Sequence, residues 1–213
     1  KYIIDNYDGD TDNAWEEITG KSFFSRTAQR QAIDKLEKTS SQTGIDPEKK
    51  VPKIIKALTK LLEEHWSSDL GHYRSILNGK AKNGLLRGHE LNIDIVFACT
   101  YNGLTCFDER MLATVAKLRD TFEKLYPINE KDRALDIGPL IGRYPSDKYD
   151  GTVNQGGDMG HPWPLCTANL ARFYYECIIE IANIPHITIS EKMEPFFKQI
   201  GFNHSGMINK LSS

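Results

Sequence analysis

Asp108-Glu109-Arg110-Met111-Leu112-Ala113-Thr114-Val115-Ala116-Lys117-Leu118-Arg119-Asp120-Thr121-Phe122-Glu123-Lys124-Leu125-Tyr126 sets Met111, Leu112, Val115, Leu118, Phe122 and Leu125 on one side of a helix. Apolar residues three and four apart form one stripe because an α-helix turns once in 3.6 residues. Pro127 follows; it has no N–H to donate and ends the segment.

The same pattern spreads outward from there. Upstream, Leu91 to Cys99 reads as a helix. Asp46-Pro47 opens another, with a cap and a proline in the first turn, and Ile54, Leu58, Leu61 and Leu62 mark its buried face. Ser22 caps a helix running to about Lys38, with Phe24, Ala28, Ala32 and Leu36 at four-residue steps; Ser40 to Gly44 is a loop. Lys1 to Asn6 reads as the tail of a helix, so the sequence is expected to be cut from something longer. Downstream, Pro164 opens a helix through Ala182, and Ser190 caps one through about Ile200. Ile137 to Gly160 is rich in loop residues, and Ile187-Thr188-Ile189 is the only short β-like run. Helix after helix with long Gly-, Pro- and Asp-rich connections predicts an all-α architecture. Neither a fixed repeat nor a low-complexity linker divides the chain, which reads as one domain or a piece of one.

Composition narrows the function. With 213 residues, 39% hydrophobic, 26% charged and a formal net charge of -2, the chain has an ordinary globular make-up. That charge favours neither nucleic acid nor an anionic membrane surface as a partner. No apolar run approaches the roughly 18 residues a spanning helix needs. The four cysteines carry no CxxC pair or zinc spacing, and the six histidines do not cluster, so no metal or cofactor is implied. Cys99 and Cys106 flank a turn; a bridge between them and two buried thiols both remain open. Tyr7 to Asn13 lacks the spacing of a calcium loop. Asn203-His204-Ser205 fits a glycosylation acceptor, a triplet expected by chance in a chain this long.

Two stretches carry chemistry. In Asn13-Ala14-Trp15-Glu16-Glu17-Ile18-Thr19-Gly20-Lys21-Ser22-Phe23-Phe24, a tryptophan precedes two adjacent carboxylates, a Gly-containing turn and an aromatic pair that opens a helix. A carboxyl shielded by an indole and beside a second anion resists ionisation, the setting for a general acid. The bland alternative is a solvated acidic helix start. In the second, Gly142-Arg143-Tyr144-Pro145-Ser146-Asp147-Lys148-Tyr149-Asp150-Gly151 is followed by Gly160-His161-Pro162-Trp163-Pro164-Leu165-Cys166-Thr167. Arg143 offers a planar fork of donors, Asp147 an acceptor, and Tyr144, Tyr149 and Trp163 flat faces. That mixture suits a sugar, with hydroxyls around its rim and an apolar C–H face. An Arg–Asp pair in a loop plugged by a Trp is the plainer account.

Trp15-Glu16-Glu17 with Gly20 and Ser22-Phe23-Phe24 resembles the "LWEE..G..FFT" stretch of the glucoamylases, glycoside hydrolase family fifteen. The Arg143 and Trp163 stretches resemble the family's "GRYPEDxYxG…GNPWFLCT" signature, in the same order and at similar separation. Ser190 to Phe197 is similar to the segment that follows. The resemblance implies that residues 1–213 are a central portion of an (α/α)6 toroid, with loops forming a pocket for the non-reducing end of an α-glucan. It implies inverting hydrolysis, with Glu16 as general acid and Glu17 as a substrate-binding carboxylate. Arg143, Asp147 and Trp163 fall on sugar-contacting positions, and Trp15 on the wall beside the acid. The catalytic base, the opening helices and the closing helices are expected outside this chain, whose partner is then the rest of its own domain. The family also favours a secreted or lumenal setting. Departures are Asn13 for an acidic residue, Ala14 for Leu, Ser146 and Lys148 in the loop, and His161 for Asn. A glucan-binding or regulatory homologue that does not cut, and an α-glucosidase of other linkage specificity, are the alternatives.

Overall fold

Asp108 starts the central helix by accepting the backbone N–H groups of Arg110 and Met111, each at 3.0 Å. This cap is one detail of a computed structural model that describes residues 2–43, 50–81, 89–135, 137–149, 160–202 and 207–209. In chain order the elements are α1 (Tyr2–Asn6), β1 (Thr11–Asp12), β2 (Ile18–Ser22), α2 (Phe23–Thr43) and α3 (Val51–Glu63). Then come β3 (Trp66–Ser67), β4 (His72–Tyr73), β5 (Ile76–Ala81), α4 (Asp94–Thr100) and α5 (Glu109–Leu125). The chain continues through α6 (Ile128–Ala134), α7 (Pro164–Ala182), β6 (His186–Thr188), α8 (Glu194–Gln199) and β7 (Met207–Asn209). Helix dominates, as the apolar periodicity predicts.

The core forms around α4 and α5. Every residue of α4 is buried, because the helix lies between α2 and α7. On α5 the buried face includes Met111, Leu112, Val115, Leu118 and Phe122, the stripe read from the sequence, with Leu125 half-buried at its end. Leu170, Phe173 and Cys177 of α7 and Phe196 and Phe197 of α8 complete it. A smaller core joins Ile4, Ile33, Val51, Ile54 and Leu58 where α2 and α3 pair. The opposite side of α7 is also apolar, and Leu165, Tyr175, Ile178 and Ile179 are exposed on it. No helix of the described residues is long and apolar enough to cross a membrane.

Several local expectations change. In α2 the buried side carries Phe23, Arg26, Thr27 and Ile33, while Leu36 is exposed. The stripe misleads because polar Arg26 is accommodated inside: its guanidinium donates to the Leu61 carbonyl and reaches His65 and Asp8. The same helix runs on through the expected Ser40–Thr43 loop, since no Gly or Pro interrupts it before Gly44. The Asp46-Pro47 start lies outside the described residues, as do Asp150-Gly151 and the Asn203 triplet; α3 is described from Val51. Ser22 caps α2 as expected, accepting the Ser25 N–H at 3.3 Å. Ser190 does not cap α8 with its side chain, which donates to Glu109 instead. Helix α6 follows Pro127 directly, where none is expected. All four cysteines are free and buried, which resolves the Cys99–Cys106 question in favour of thiols.

The largest departure is antiparallel sheet. Besides β6, which matches the β-like run and pairs with β7, a three-stranded sheet runs in the order β1-β2-β5. Thr11 faces Gly20 and Asp12 faces Thr19, while on the other side Thr19 faces Lys80 and Lys21 faces Leu77. The register slips at Gly20. There a Cβ would sit 2.7 Å from the Leu77 carbonyl oxygen and 3.0 Å from Gly79 Cα. Side-chain absence lets the backbones close up at this bulge. Gly20→Ala is expected to push β2 off β5 and lower stability by about 1–3 kcal/mol. Thermal unfolding of the variant checks it, and an unchanged midpoint would refute the account.

Candidate functional site

The β1–β2 hairpin places the first chemical stretch. Asn13 closes the hairpin: its N–H donates to the Ile18 carbonyl at 2.9 Å, and its Oδ1 accepts from the Glu17 and Ile18 N–H groups at 3.0 and 3.3 Å. Glu16 N–H donates to the Asn13 carbonyl at 3.0 Å, and Glu16 has φ 58°. Positive φ is rare outside glycine, so the tip is tightly determined by its surroundings.

Trp15 and Glu17 leave the tip toward the interior. Trp15 donates its indole N–H to Asn92 Oδ1 at 2.9 Å and packs edge-on against Phe97, with Trp163 at 6.1 Å. Glu17 receives Arg143 Nη1 at 2.9 Å on one oxygen and the Tyr144 hydroxyl at 2.7 Å on the other. Arg143 also forks onto Asp147, Nε to Oδ2 at 2.7 Å and Nη2 to Oδ1 at 2.6 Å. Asp147 is fully buried and Arg143 is 4% exposed. Four rings surround the guanidinium: Trp15, Tyr144, Tyr149 and Trp163, with centroids 5.1–5.4 Å from Cζ. Each such contact favours the cation, more so where water is excluded.

The electrostatics follow from this geometry. Burial alone pulls the Arg143 pKa down, but Asp147 and Glu17 outweigh it and raise it overall. Burial and then the hydrogen bond to Glu17 push the Tyr144 phenol up, so it serves as a donor. The loop is held on the helix behind it. Ile141 N–H donates to Thr167 Oγ1 and Trp163 N–H to the Ile141 carbonyl, each at 2.9 Å. A Cβ on Gly142 would overlap Tyr126 Oη, and one on Gly160, at φ +62°, would overlap the Asp147 carbonyl oxygen. Glycine is required at both.

Five of the six residues singled out from the sequence therefore meet: Trp15, Glu17, Arg143, Asp147 and Trp163. Glu16 does not join them. It is exposed at the hairpin tip, and among the described residues its carboxyl makes no hydrogen bond or ion pair. The shielding anticipated for Glu16 is not supplied here, because the turn directs Trp15 and Glu17 inward. The residues missed are Asn92 and Asp94, both wholly buried at the start of α4. Two polar residues inside the apolar run Leu91 to Ala98 were the available signal.

Solved structures settle the class of fold. The chain is similar to a glucoamylase from Hypocrea jecorina with a TM-score of 0.79 at 20% identity, covering 99% of this chain and 35% of that one. For a glucoamylase from Hormoconis resinae the values are 0.77 and 22%, with the same coverage. Its fold is thus part of an (α/α)6 toroid. The chain belongs to Glycosyl hydrolases family 15, whose sequence profile matches residues 1–213. It is 26% identical over 210 residues to Glucoamylase 1 of Rhizopus oryzae and 28% identical over 214 residues to the glucoamylase of Blastobotrys adeninivorans. Each match covers 93% of this chain and 33% or 32% of the relative. The chain spans about a third of their length.

Asp94 offers a pH test. Burial raises its carboxyl from 3.8 to about 7, partly offset by the Ser75 hydroxyl that donates to it at 2.9 Å. The folded state then holds this proton up to about pH 7 while the unfolded chain releases it near 3.8, so stability falls as pH rises across that interval. Asp94→Asn, which keeps an acceptor for Ser75, is expected to flatten this decline. Thermal midpoints at several pH values between these limits check it, and an unaltered slope would count against it.

Proposed function

We propose that residues 1–213 are the central portion of a glucoamylase-like catalytic domain. It releases glucose from non-reducing ends of α-1,4 and α-1,6 glucans with inversion, and Glu16 is the general acid. The supporting observation is the meeting of two stretches more than a hundred residues apart. Arg143 is held between Asp147 and Glu17, the chain neighbour of Glu16, inside a ring of four aromatic side chains.

On this reading Glu17 and the edge of the guanidinium fix the sugar hydroxyls, and the fully buried Asp147 acts from behind by holding that guanidinium. Trp15 and Trp163 offer faces to the sugar's C–H surface. Glu16 protonates the glycosidic oxygen as the bond breaks. A second carboxylate, about 6.5–9.5 Å across the site, activates water on the opposite face of the ring. That base and the helices that would bury Glu16 belong to the part of the domain outside this chain. Closing the site expels water from around the bond that breaks. The substrate is a starch- or glycogen-like glucan or a maltooligosaccharide, with no cofactor in the reaction.

The complete protein is to be incubated with maltose and with starch while β-glucose release is followed. Release of the β-anomer is expected, and Glu16→Gln should lower turnover by roughly 10²–10⁴-fold while leaving maltooligosaccharide binding measurable. A folded protein that binds glucan but releases no glucose would replace this reading with a non-catalytic binding homologue. Near-normal rates in Glu16→Gln would remove Glu16 from the role of acid.

A further inference from the structure

Trp15 meets its neighbours through its faces and edges, and most of those contacts leave its direction open. Phe97 lies edge-on with centroids 5.6 Å apart, Trp163 is tilted at 51°, and the Arg143 guanidinium stands 5.4 Å from the ring. An indole turned over about its Cβ–Cγ bond would still find apolar and cationic neighbours. Only the N–H edge distinguishes the two orientations, because it is the ring's single donor.

That edge ends on Asn92. The residue is fully buried, and its Oδ1 accepts both the Trp15 indole N–H at 2.9 Å and the Asp94 backbone N–H at 3.1 Å. Neither group can accept, so the amide oxygen and nitrogen cannot exchange places. The Asn92 carbonyl accepts the Ile95 N–H at 3.2 Å, and the next residue, Ile93, donates its N–H to the Arg143 carbonyl at 3.0 Å. The turn into α4 therefore holds Trp15 by its side chain and Arg143 by its backbone. Asn92 Nδ2 finds no partner among the described residues, and an unmatched buried amide is costly. What this asparagine contributes, it contributes through its oxygen.

We infer that Asn92 is a positioning residue: it sets the orientation of the Trp15 indole and so the aromatic wall beside Glu16. The kinetic half of this rests on the function proposed above; the geometric half does not. Asn92 acts through Trp15, so its effect vanishes once the indole N–H is gone.

The complete protein, with its tryptophans labelled with nitrogen-15, tests both halves. Hydrogen exchange of the indole N–H, assigned by loss of its signal in Trp15→Phe, should be at least about tenfold slower than for a free indole. Asn92→Ala should abolish that protection and reduce kcat/KM on maltooligosaccharides about tenfold, the size of one buried hydrogen bond. In a Trp15→Phe background the same change should cost less than about twofold. Should Asn92→Ala fail to fold, Asn92→Asp, which keeps an acceptor oxygen for both donors, is expected to retain slow exchange. Free exchange in the unaltered protein, fast exchange in Asn92→Asp, or additive losses in the double variant would overturn the inference. Slow exchange in a protein that hydrolyses no glucan would instead leave Asn92 in place and overturn the proposed activity.

Discussion

The sharing of one buried guanidinium between two carboxylates governs this molecule. Arg143 brings a hairpin near the start of the chain onto a loop more than a hundred residues later, and among the described residues it is the cation that Glu17 and Asp147 share. Such a cluster is not a source of much net stability, since taking three charges from water costs about what their attraction returns. What it supplies is definition. The fork fits Asp147 in one plane, and its remaining donor fits Glu17, so hairpin and loop meet in one register. The four surrounding rings then have fixed places around a cation that cannot lose its proton.

Much of the helical frame was legible because it depends on short-range periodicity. Helix α5 shows its buried face in the spacing of Leu, Phe, Met and Val, and Asp108 and Pro164 mark the starts of α5 and α7. The sheet was not legible. Ile18-Thr19-Gly20-Lys21-Ser22 has a glycine at its centre and little alternation, and it is a strand because β1 and β5 lie on either side of it. Pattern also misjudged α2, where an arginine is buried because a carbonyl, a histidine and an aspartate await it. Tertiary partners decide such positions, and a single sequence does not list them.

The candidate site divides in the same way. Residues with distinctive chemistry, Arg143, Asp147, Trp163, Trp15 and Glu17, were recognisable by type and motif, and the fold brings them together. Asn92 and Asp94 were hidden inside an apolar helix start, where polar residues are readily taken for interruptions. Which of the neighbours Glu16 and Glu17 would face Arg143 was likewise out of reach. One faces solvent and the other an arginine because of a single backbone turn, and adjacency in sequence says nothing about that choice.

That turn has its own consequence. Glu16 occupies a left-handed backbone conformation that costs an ordinary side chain about 1–2 kcal/mol relative to its usual regions, and a glycine would adopt it freely. If Glu16 is the acid proposed above, the tip of the hairpin is a place where folding and chemistry want different residues. Optimising this segment for stability alone would favour glycine there and erase the carboxyl.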